Sequence, residues 1–164
     1  MTVISTLIKE MIAFEGNNPH KINHFLKVYG FAKTIGEIEG IDKETQDILE
    51  ITSILHDIGI KISLEKYNTS DGPYQEKEGA IKARELMELH GIDEKVIDRV
   101  CYLIGHHHTY TNIDGMDYQI LVEADFLVNL YEKNSDKESI ISVRDNIFKT
   151  KSGIEILETM FNID

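Results

Sequence analysis

The sequence is poor in cysteine, proline and basic residues, and it has no tryptophan. Cys101 is the only cysteine, which excludes an intrachain disulfide and a cysteine-based zinc or iron–sulfur site and favours a reducing, cytoplasmic location. Only 17 Lys and Arg residues oppose 29 Asp and Glu residues, giving a formal net charge of −12. This charge argues against a duplex nucleic acid partner, although a bound metal can still attract a small anionic substrate. No apolar run approaches the roughly 20 residues of a membrane helix, so no membrane partner is expected.

The apolar residues recur with the period of a helix, and only Pro19 and Pro73 interrupt the pattern. One all-α domain is therefore predicted over residues 1–164. The segment 61–74 is rich in Asn, Ser, Asp and Gly, and it is interpreted as an irregular lid or substrate loop. The predicted helices cover about 2–14, 18–39, 42–58, 75–90, 93–108 and 117–131, followed by one capped at Ser135 or Asp136 and a short one with a capping box at Ser152.

Several ionisable side chains lie on helix faces that are otherwise apolar. His24 and Asp125 lie on the apolar faces of two helices, His107 continues the apolar face of a third, and His56 and Asp57 end a fourth. A single inward histidine is more often hydrogen-bonded in a core than bound to a metal, but a buried carboxylate is costly unless it is paired or bound to a cation. Imidazole and carboxylate groups on four helices together indicate a site for a divalent metal.

The order His24, then His56-Asp57, then Asp125 resembles the signature of the HD superfamily of metal-dependent phosphohydrolases. The local sequences HFLKVYGFA from residue 24, SILHDIG from residue 53 and EADFLV from residue 123 are also similar to those of the family. The resemblance spans about residues 20–130. It implies an all-α, HD-domain-like helical bundle with a metal site between its core helices.

The resemblance also implies a ligand set for a divalent transition metal, which is Mn, Fe, Co, Ni or Zn. Its expected ligands are His24, His56, Asp57 and Asp125. One ion is expected, and two ions are the alternative. In that case Asp57 is expected to bridge them, with His106 or His107 as further ligands and His107 favoured because its face is apolar. His108 is interpreted as a surface neighbour.

The start of the fourth predicted helix departs from relatives with two metals, which usually have a histidine there. This chain has Gln75-Glu-Lys-Glu-Gly instead. Glu76 aligns with the apolar face better than Glu78 and is predicted to point inward, where it completes a second site or orients a water. Asp57, Glu76 and Lys61 are accordingly the predicted catalytic residues.

Phosphate oxygens require cationic partners, and three cations lie near the predicted site in the sequence. Lys61 and Arg84 are predicted to bind the substrate, whereas Lys66 is interpreted as a solvated surface charge. Tyr67 and Tyr110 lie in or beside the predicted loops, where a tyrosine ring can stack on a base. The expected partner is a small phosphorylated substrate.

The resemblance implies hydrolysis of a small phosphate ester, with nucleotides among the options, by a metal-activated water. Two alternatives stay open: an HD-fold di-iron oxygenase, and a non-catalytic binding or sensor module stabilised by a coordinatively closed metal site. The oligomeric state is open too. The apolar stripes of the first helix and the last two helices suit packing on the core or the interface of a homodimer.

Overall fold

The computed structural model describes residues 1–164 and contains nine α-helices and no β-strand, which confirms the predicted all-α fold. None of these helices combines the length and the apolar character that crossing a membrane requires. The helices are α1 (Val3–Glu15), α2 (Pro19–Glu39), α3 (Lys43–Leu55), α4 (Gly59–Tyr67), α5 (Gly72–Leu89), α6 (Glu94–Ile104), α7 (Met116–Glu132), α8 (Lys137–Asn146) and α9 (Lys151–Phe161).

The helix starts follow from side chains that satisfy the free N–H groups of the first turn. The Asn18 side chain accepts a hydrogen bond at the start of α2, and Asp136 rather than Ser135 does so for α8. The predicted capping box at Ser152 is wrong, because this residue is already inside α9. Thr150 has extended backbone angles, and its hydroxyl oxygen accepts a hydrogen bond from the backbone N–H of Gly153. It is therefore the N-cap of α9, which begins two residues earlier than predicted.

The core lies where α2, α3 and α7 pack against one another; α1 packs on α2 and α3, α9 packs on α2 and α7, and α6 packs on α3 and links α5 and α4 to the core. The apolar stripes of α1 and α9 pack on this core within the chain. Leu7, Met11 and Leu157 are fully buried there. At about 1.5–3 kcal/mol for each buried side chain of this size, the terminal helices contribute substantially to the stability of the domain.

The segment predicted as a long irregular loop is mostly helical. Residues 61–67 belong to α4 and residues 72–74 begin α5, so only residues 68–71 connect two helices. Asn68 ends α4 in the left-handed conformation (φ 55°), which asparagine tolerates better than most residues. The Asn, Ser, Asp and Gly residues are concentrated after position 67, so the prediction placed the turn correctly but began it too early.

Two glycines allow α4 and α5 to pack unusually closely. A Cβ added at Gly59 would lie 1.9 Å from the carbonyl oxygen of Gln75 and 2.6 Å from the amide nitrogen of Gly79. No side chain at position 59 fits there without displacing the backbone of α5. The absence of a side chain at Gly59 therefore brings the first turn of α5 next to residues 56 and 57.

Candidate metal centre

Three helices bring the four predicted ligands to one point. His24 lies on the buried face of α2, and Asp125 lies on the buried face of α7, which packs against α2. His56 is the residue that ends α3, and Asp57 follows in the turn before α4. The apolar faces that bury α2, α3 and α7 in the core therefore also bury these side chains.

Each of the two histidines contacts the other and both carboxylates. His24 Nε2 lies 3.3 Å from Asp125 Oδ1, 3.4 Å from Asp57 Oδ2 and 3.4 Å from His56 Nε2. His56 Nε2 lies 3.5 Å from Asp125 Oδ1 and 3.6 Å from Asp57 Oδ2. One imidazole nitrogen or one carboxylate oxygen of each residue thus points at a common centre.

This spacing fits a transition metal ion. Two ligand atoms that are each about 2.1 Å from one ion lie about 3.0–3.4 Å apart in octahedral or tetrahedral coordination. The distances between the ligand atoms, 3.3–3.6 Å, are close to this range. Two imidazoles and two carboxylates are also a donor set that suits divalent first-row metals. His24, His56 and Asp57, whose ligand atoms all lie within 4.8 Å of one another, could therefore hold a metal ion between the core helices, and Asp125 contacts both of these histidines.

Asp57 also belongs to a second group of possible ligands. Its Oδ1 lies 3.6 Å from His107 Nε2, and His108 completes a set whose ligand atoms all lie within 4.8 Å of one another. His107 Nε2 is buried without a hydrogen-bond partner, which is unusual for a polar atom unless a ligand uses it. The two oxygens of Asp57 thus face two adjacent groups of histidines.

The other ring nitrogen of each buried histidine is held by an acceptor. His56 Nδ1 donates to the carbonyl oxygen of Ser53 (2.8 Å), and His107 Nδ1 donates to that of Ile104 (2.7 Å). His24 Nδ1 lies 3.0 and 3.2 Å from the two carboxylate oxygens of Glu132. A hydrogen on Nδ1 leaves the lone pair of a neutral imidazole on Nε2, which is the atom that faces the centre in all three residues.

The charges in the centre shift the pKa values of its members. Burial lowers the pKa of His24 and His56, but the carboxylates of Asp57 and Asp125 outweigh it and raise both above their usual value. Burial raises the pKa of Asp125, and the hydrogen bonds from the two histidines outweigh this and lower it. The carboxylates are therefore ionised at neutral pH and attract a cation.

His108 behaves differently from the other histidines. Burial and the neighbouring His107 lower the pKa of its imidazole to about 4. The ring is therefore neutral at pH 7 and has a lone pair available.

The centre opens into a cleft of about 520 Å³, a size typical of sites for small molecules. Lys21 is the cation closest to the carboxylates, with its Nζ 3.5 Å from Asp57 Oδ2. Tyr110 and Phe126 form an aromatic wall, with their ring centroids 5.1 Å apart. The cleft is lined by His20, Lys21, His24, Asp57, Ile60, Gln75, His108, Tyr110, Asp125, Phe126, Asn129, Glu132 and Lys133.

A family model of the HD domain matches residues 22–147 of the chain, which include all four residues of the cluster. The chain belongs to the HD domain family. The paired His56-Asp57 at the centre of the cluster is the doublet of its HD motif.

A solved structure also has this HD fold. It is the crystal structure of a predicted HD superfamily hydrolase from an uncultured Thermotogales bacterium, with a TM-score of 0.68 and 23% sequence identity. The alignment covers 97% of this chain and 83% of that chain. None of the curated proteins matches the chain significantly. The likeness shows that the fold of an HD superfamily hydrolase extends over nearly the whole chain.

Around the HD motif, the face of α5 differs from the prediction. Glu78, not Glu76, is buried, and its carboxylate accepts hydrogen bonds from Lys66 (2.8 Å) and Tyr67 (2.7 Å). Glu76 is only half-buried, and its Oε1 accepts the backbone N–H of His108 at 3.2 Å. The glycine contact between α4 and α5 explains the correction, because it turns Gln75 rather than Glu76 toward the HD motif.

Three predicted substrate contacts do not line the cleft. Lys61 Nζ donates to the carbonyl oxygen of Phe14 (2.7 Å) and satisfies the end of α1. Arg84 pairs with carboxylates of α6 on the far side of α5, and Tyr67 is bound to Glu78. The placement of Lys61, Arg84 and Tyr67 at the substrate is therefore corrected, because each already has an acidic or carbonyl partner elsewhere.

The triple histidine also differs from the prediction. Of the predicted further ligands, His107 points into the centre, whereas His106 stacks on Tyr102 and its Nδ1 donates to that residue's carbonyl oxygen (2.7 Å). His108, interpreted from the sequence as a surface neighbour, lines the cleft instead. The chain leaves α6 at Ile104, so the spacing of a continuous helix does not apply to these three residues.

Proposed function

We propose that this HD domain protein is a metal-dependent phosphohydrolase of small phosphate esters, with nucleotides as the first class to test. The observation that carries the proposal is the position of the ligand cluster at the base of an open cleft. A structural metal site is closed by protein ligands on all sides, whereas a catalytic site keeps a position open to water and substrate. Two groups of ligands that share Asp57 allow one ion or two.

The residues of the cluster have separate roles in this proposal. When bound, a divalent cation supplies a Lewis acid for a phosphoryl oxygen and lowers the pKa of a coordinated water to about 7. Asp57 and Asp125 balance the charge of the cation, and Asn129 Nδ2 donates to Asp125 Oδ1 (2.9 Å) and fixes that carboxylate. Glu76 is held beside the cleft by the His108 N–H, and its role as a base for water stays a prediction.

The lining of the cleft suits a small anionic ligand with an aromatic group. Lys21 lies beside Asp57, and Lys133 lies at the edge of the cleft, so both ammonium groups can approach phosphate oxygens. The rings of Tyr110 and Phe126 are tilted by 54° to each other, and either ring offers an apolar face on which a base can stack. The net charge of −12 favours such a small ester over a nucleic acid chain, whose many phosphates would be repelled.

The test is a phosphate-release assay on nucleoside monophosphates and other small phosphate monoesters, with Mn²⁺, Fe²⁺, Co²⁺, Ni²⁺ and Zn²⁺ in turn. We expect at least one pair of substrate and metal to give steady turnover. Asp57→Asn should lower kcat/KM by about 100-fold or more, because it removes an anionic ligand and leaves an amide among histidines. Asp47→Asn is the matched control, since the Asp47 side chain on α3 is about half exposed and pairs with Lys43 outside the cleft.

Two results would contradict the proposal. One is a metal-loaded wild-type protein that releases phosphate from none of these esters. The other is an Asp57→Asn variant as active as Asp47→Asn. Uptake of O₂ by the iron-loaded protein without any phosphate release would identify the oxygenase alternative.

A further inference from the structure

The Nδ1 atoms of the three inward histidines, His24, His56 and His107, meet two different kinds of hydrogen-bond acceptor. His56 ends α3 and His107 follows the end of α6, and each donates to a carbonyl oxygen three residues earlier. The last carbonyls of a helix have no partner within the helix. Neither Ser53 nor Ile104 accepts a backbone hydrogen bond across its helix end, so these two imidazoles are oriented locally by groups that are free for this purpose.

His24 has no such local acceptor. It lies inside α2, which runs from Pro19 to Glu39, where the carbonyl groups are engaged in the hydrogen bonds of the helix. Its Nδ1 instead meets the carboxylate of Glu132, which is 108 residues away in sequence and is the last residue of α7. A ligand in the middle of a helix therefore depends on another helix for its orientation.

Glu132 is well placed for this task. It follows Asp125 by seven residues, so the two carboxylates lie two turns apart on the same face of α7. Its side chain is only 11% exposed, and both of its oxygens lie within 3.2 Å of His24 Nδ1. Lys27, whose side chain is 41% exposed, also contacts one of these oxygens at 3.1 Å.

We propose that Glu132 is the positioning residue of His24, so that α7 supplies both a metal ligand and the acceptor that orients a ligand on α2. The inference rests on the metal centre of the proposed function. A carboxylate that accepts the Nδ1–H fixes the tautomer and the ring orientation and makes Nε2 a better donor to a cation. Loss of such a partner typically weakens metal binding by about 10- to 100-fold.

The alternative is that Glu132 only pairs with the lysine on the surface of α2. The Lys27→Met variant separates the two explanations, because it removes the ion pair and leaves the carboxylate beside His24. A merely structural role predicts equal effects of Lys27→Met and Glu132→Ala. The positioning role predicts a small effect of the first and a large effect of the second.

The experiment measures the affinity of the full-length protein for Co²⁺ by chelator competition and records the visible absorption of the bound ion. Variants Glu132→Ala, Glu132→Gln and Lys27→Met are compared with Glu123→Gln. Glu123 is a buried carboxylate of the same helix that holds Thr150 at the start of α9 and has no contact with the centre. It therefore controls for a general loss of stability.

We expect Glu132→Ala to weaken Co²⁺ binding by about 10- to 100-fold and to change the visible spectrum, because the imidazole turns or changes tautomer. Glu132→Gln keeps an amide oxygen that can accept the Nδ1–H, so it should recover most of the affinity. Lys27→Met and Glu123→Gln should stay within a few-fold of wild type. Two results would overturn the inference: a Glu132→Ala variant with wild-type Co²⁺ affinity and spectrum, or a Lys27→Met variant that loses as much Co²⁺ affinity as Glu132→Ala. A wild-type protein that binds no Co²⁺ would instead overturn the proposed metal centre itself.

Discussion

Lys21 is the cation nearest to Asp57, and it lines the same cleft as the ligand cluster. Its ammonium group lies 3.5 Å from Asp57 Oδ2, inside the cleft. It is one turn before His24 on α2, so the helix that carries the ligand also carries the cation. In the proposed function, Lys21 is therefore the expected contact for a substrate phosphate, whereas Lys61 and Arg84, which the sequence pointed to, do not line the cleft.

The Lys21→Met variant tests this assignment. We expect kcat/KM for a phosphate ester to fall on the order of 100-fold, because one cationic contact to the phosphoryl group is lost. Metal affinity should be unchanged or higher, since a positive charge near the cation is removed. Lys61→Met is the comparison, and it should change kcat/KM by only a few-fold because Lys61 is bound to the end of α1. A larger loss in Lys61→Met than in Lys21→Met would restore the sequence-based assignment.

At the scale of single residues, the sequence predicted where His24, His56, Asp57 and Asp125 come together, because each breaks an apolar helix face. It could not identify Glu132, which is simply a charged residue at the end of a helix until α2 is packed beside it. Gln75, Lys21 and His108 belong to the same class, since their places depend on how separate elements meet. One feature of the sequence does indicate Glu132: it lies seven residues after Asp125, so both carboxylates lie on the same face of the helix.

At the scale of elements, the contact between α4 and α5 decides which side chains of α5 reach the centre. Gly59 and Gly79 allow the two backbones to touch, and this sets Gln75, Gly79, Ala83 and Met87 as the buried stripe. The sequence prediction failed at the start of the helix, because two glycines contribute nothing to an apolar pattern although they control the packing distance.

The Gly59→Ala variant should be strongly destabilised. The added methyl group would lie 1.9 Å from a backbone oxygen of α5, so the helices must separate, and overpacking of this kind costs about 1–3 kcal/mol. Denaturant unfolding measures the change, with Gly30→Ala as the matched control. No atom lies within 4 Å of a Cβ at this exposed position of α2, so Gly30→Ala should raise the free energy of unfolding by about 0.5–1 kcal/mol. Unaltered stability of Gly59→Ala would contradict the packing described for α4 and α5.

The helices themselves were largely predictable, because their periodic faces and caps are local features. The prediction merged α3 with the turn that follows it and missed α4, a helix of nine residues between two turns. It also did not predict the hydrogen bonds that hold the start of α9 to α7. Glu123 is fully buried on α7 and accepts the N–H groups of Lys149 and Thr150, a contact between residues 26 and 27 positions apart that no local pattern reveals.

At the scale of the whole molecule, the ligand cluster makes the stability of the fold depend on pH. Two ionised carboxylates lie among buried histidines, and the pKa values of His24 and His56 are raised above 6.5. A raised folded-state pKa means that protonation of these imidazoles stabilises the fold fully below about pH 6.5. This contribution is lost as the pH rises through the raised pKa values, which leaves Lys21 as the cation beside the carboxylates.

A divalent cation reverses this dependence on pH. The cation requires neutral imidazoles and therefore displaces their protons, so its affinity should increase as the pH rises from about 6 to about 8. The stabilisation that it provides should increase in the same direction, since a ligand that binds only the folded state raises the free energy of unfolding.

Side chains from α2, α3, α7 and the turn after α3 are proposed to hold a common ion. Calorimetric titration of the metal-free protein with Mn²⁺, Co²⁺, Ni²⁺ and Zn²⁺ tests this directly. We expect binding of at least one ion for each chain, with release of protons at lower pH. His56→Ala and Asp125→Ala should abolish this binding, whereas His106→Ala should preserve it, because His106 stacks on Tyr102 outside the centre. The absence of binding by every metal, or unchanged binding in His56→Ala and Asp125→Ala, would contradict the account.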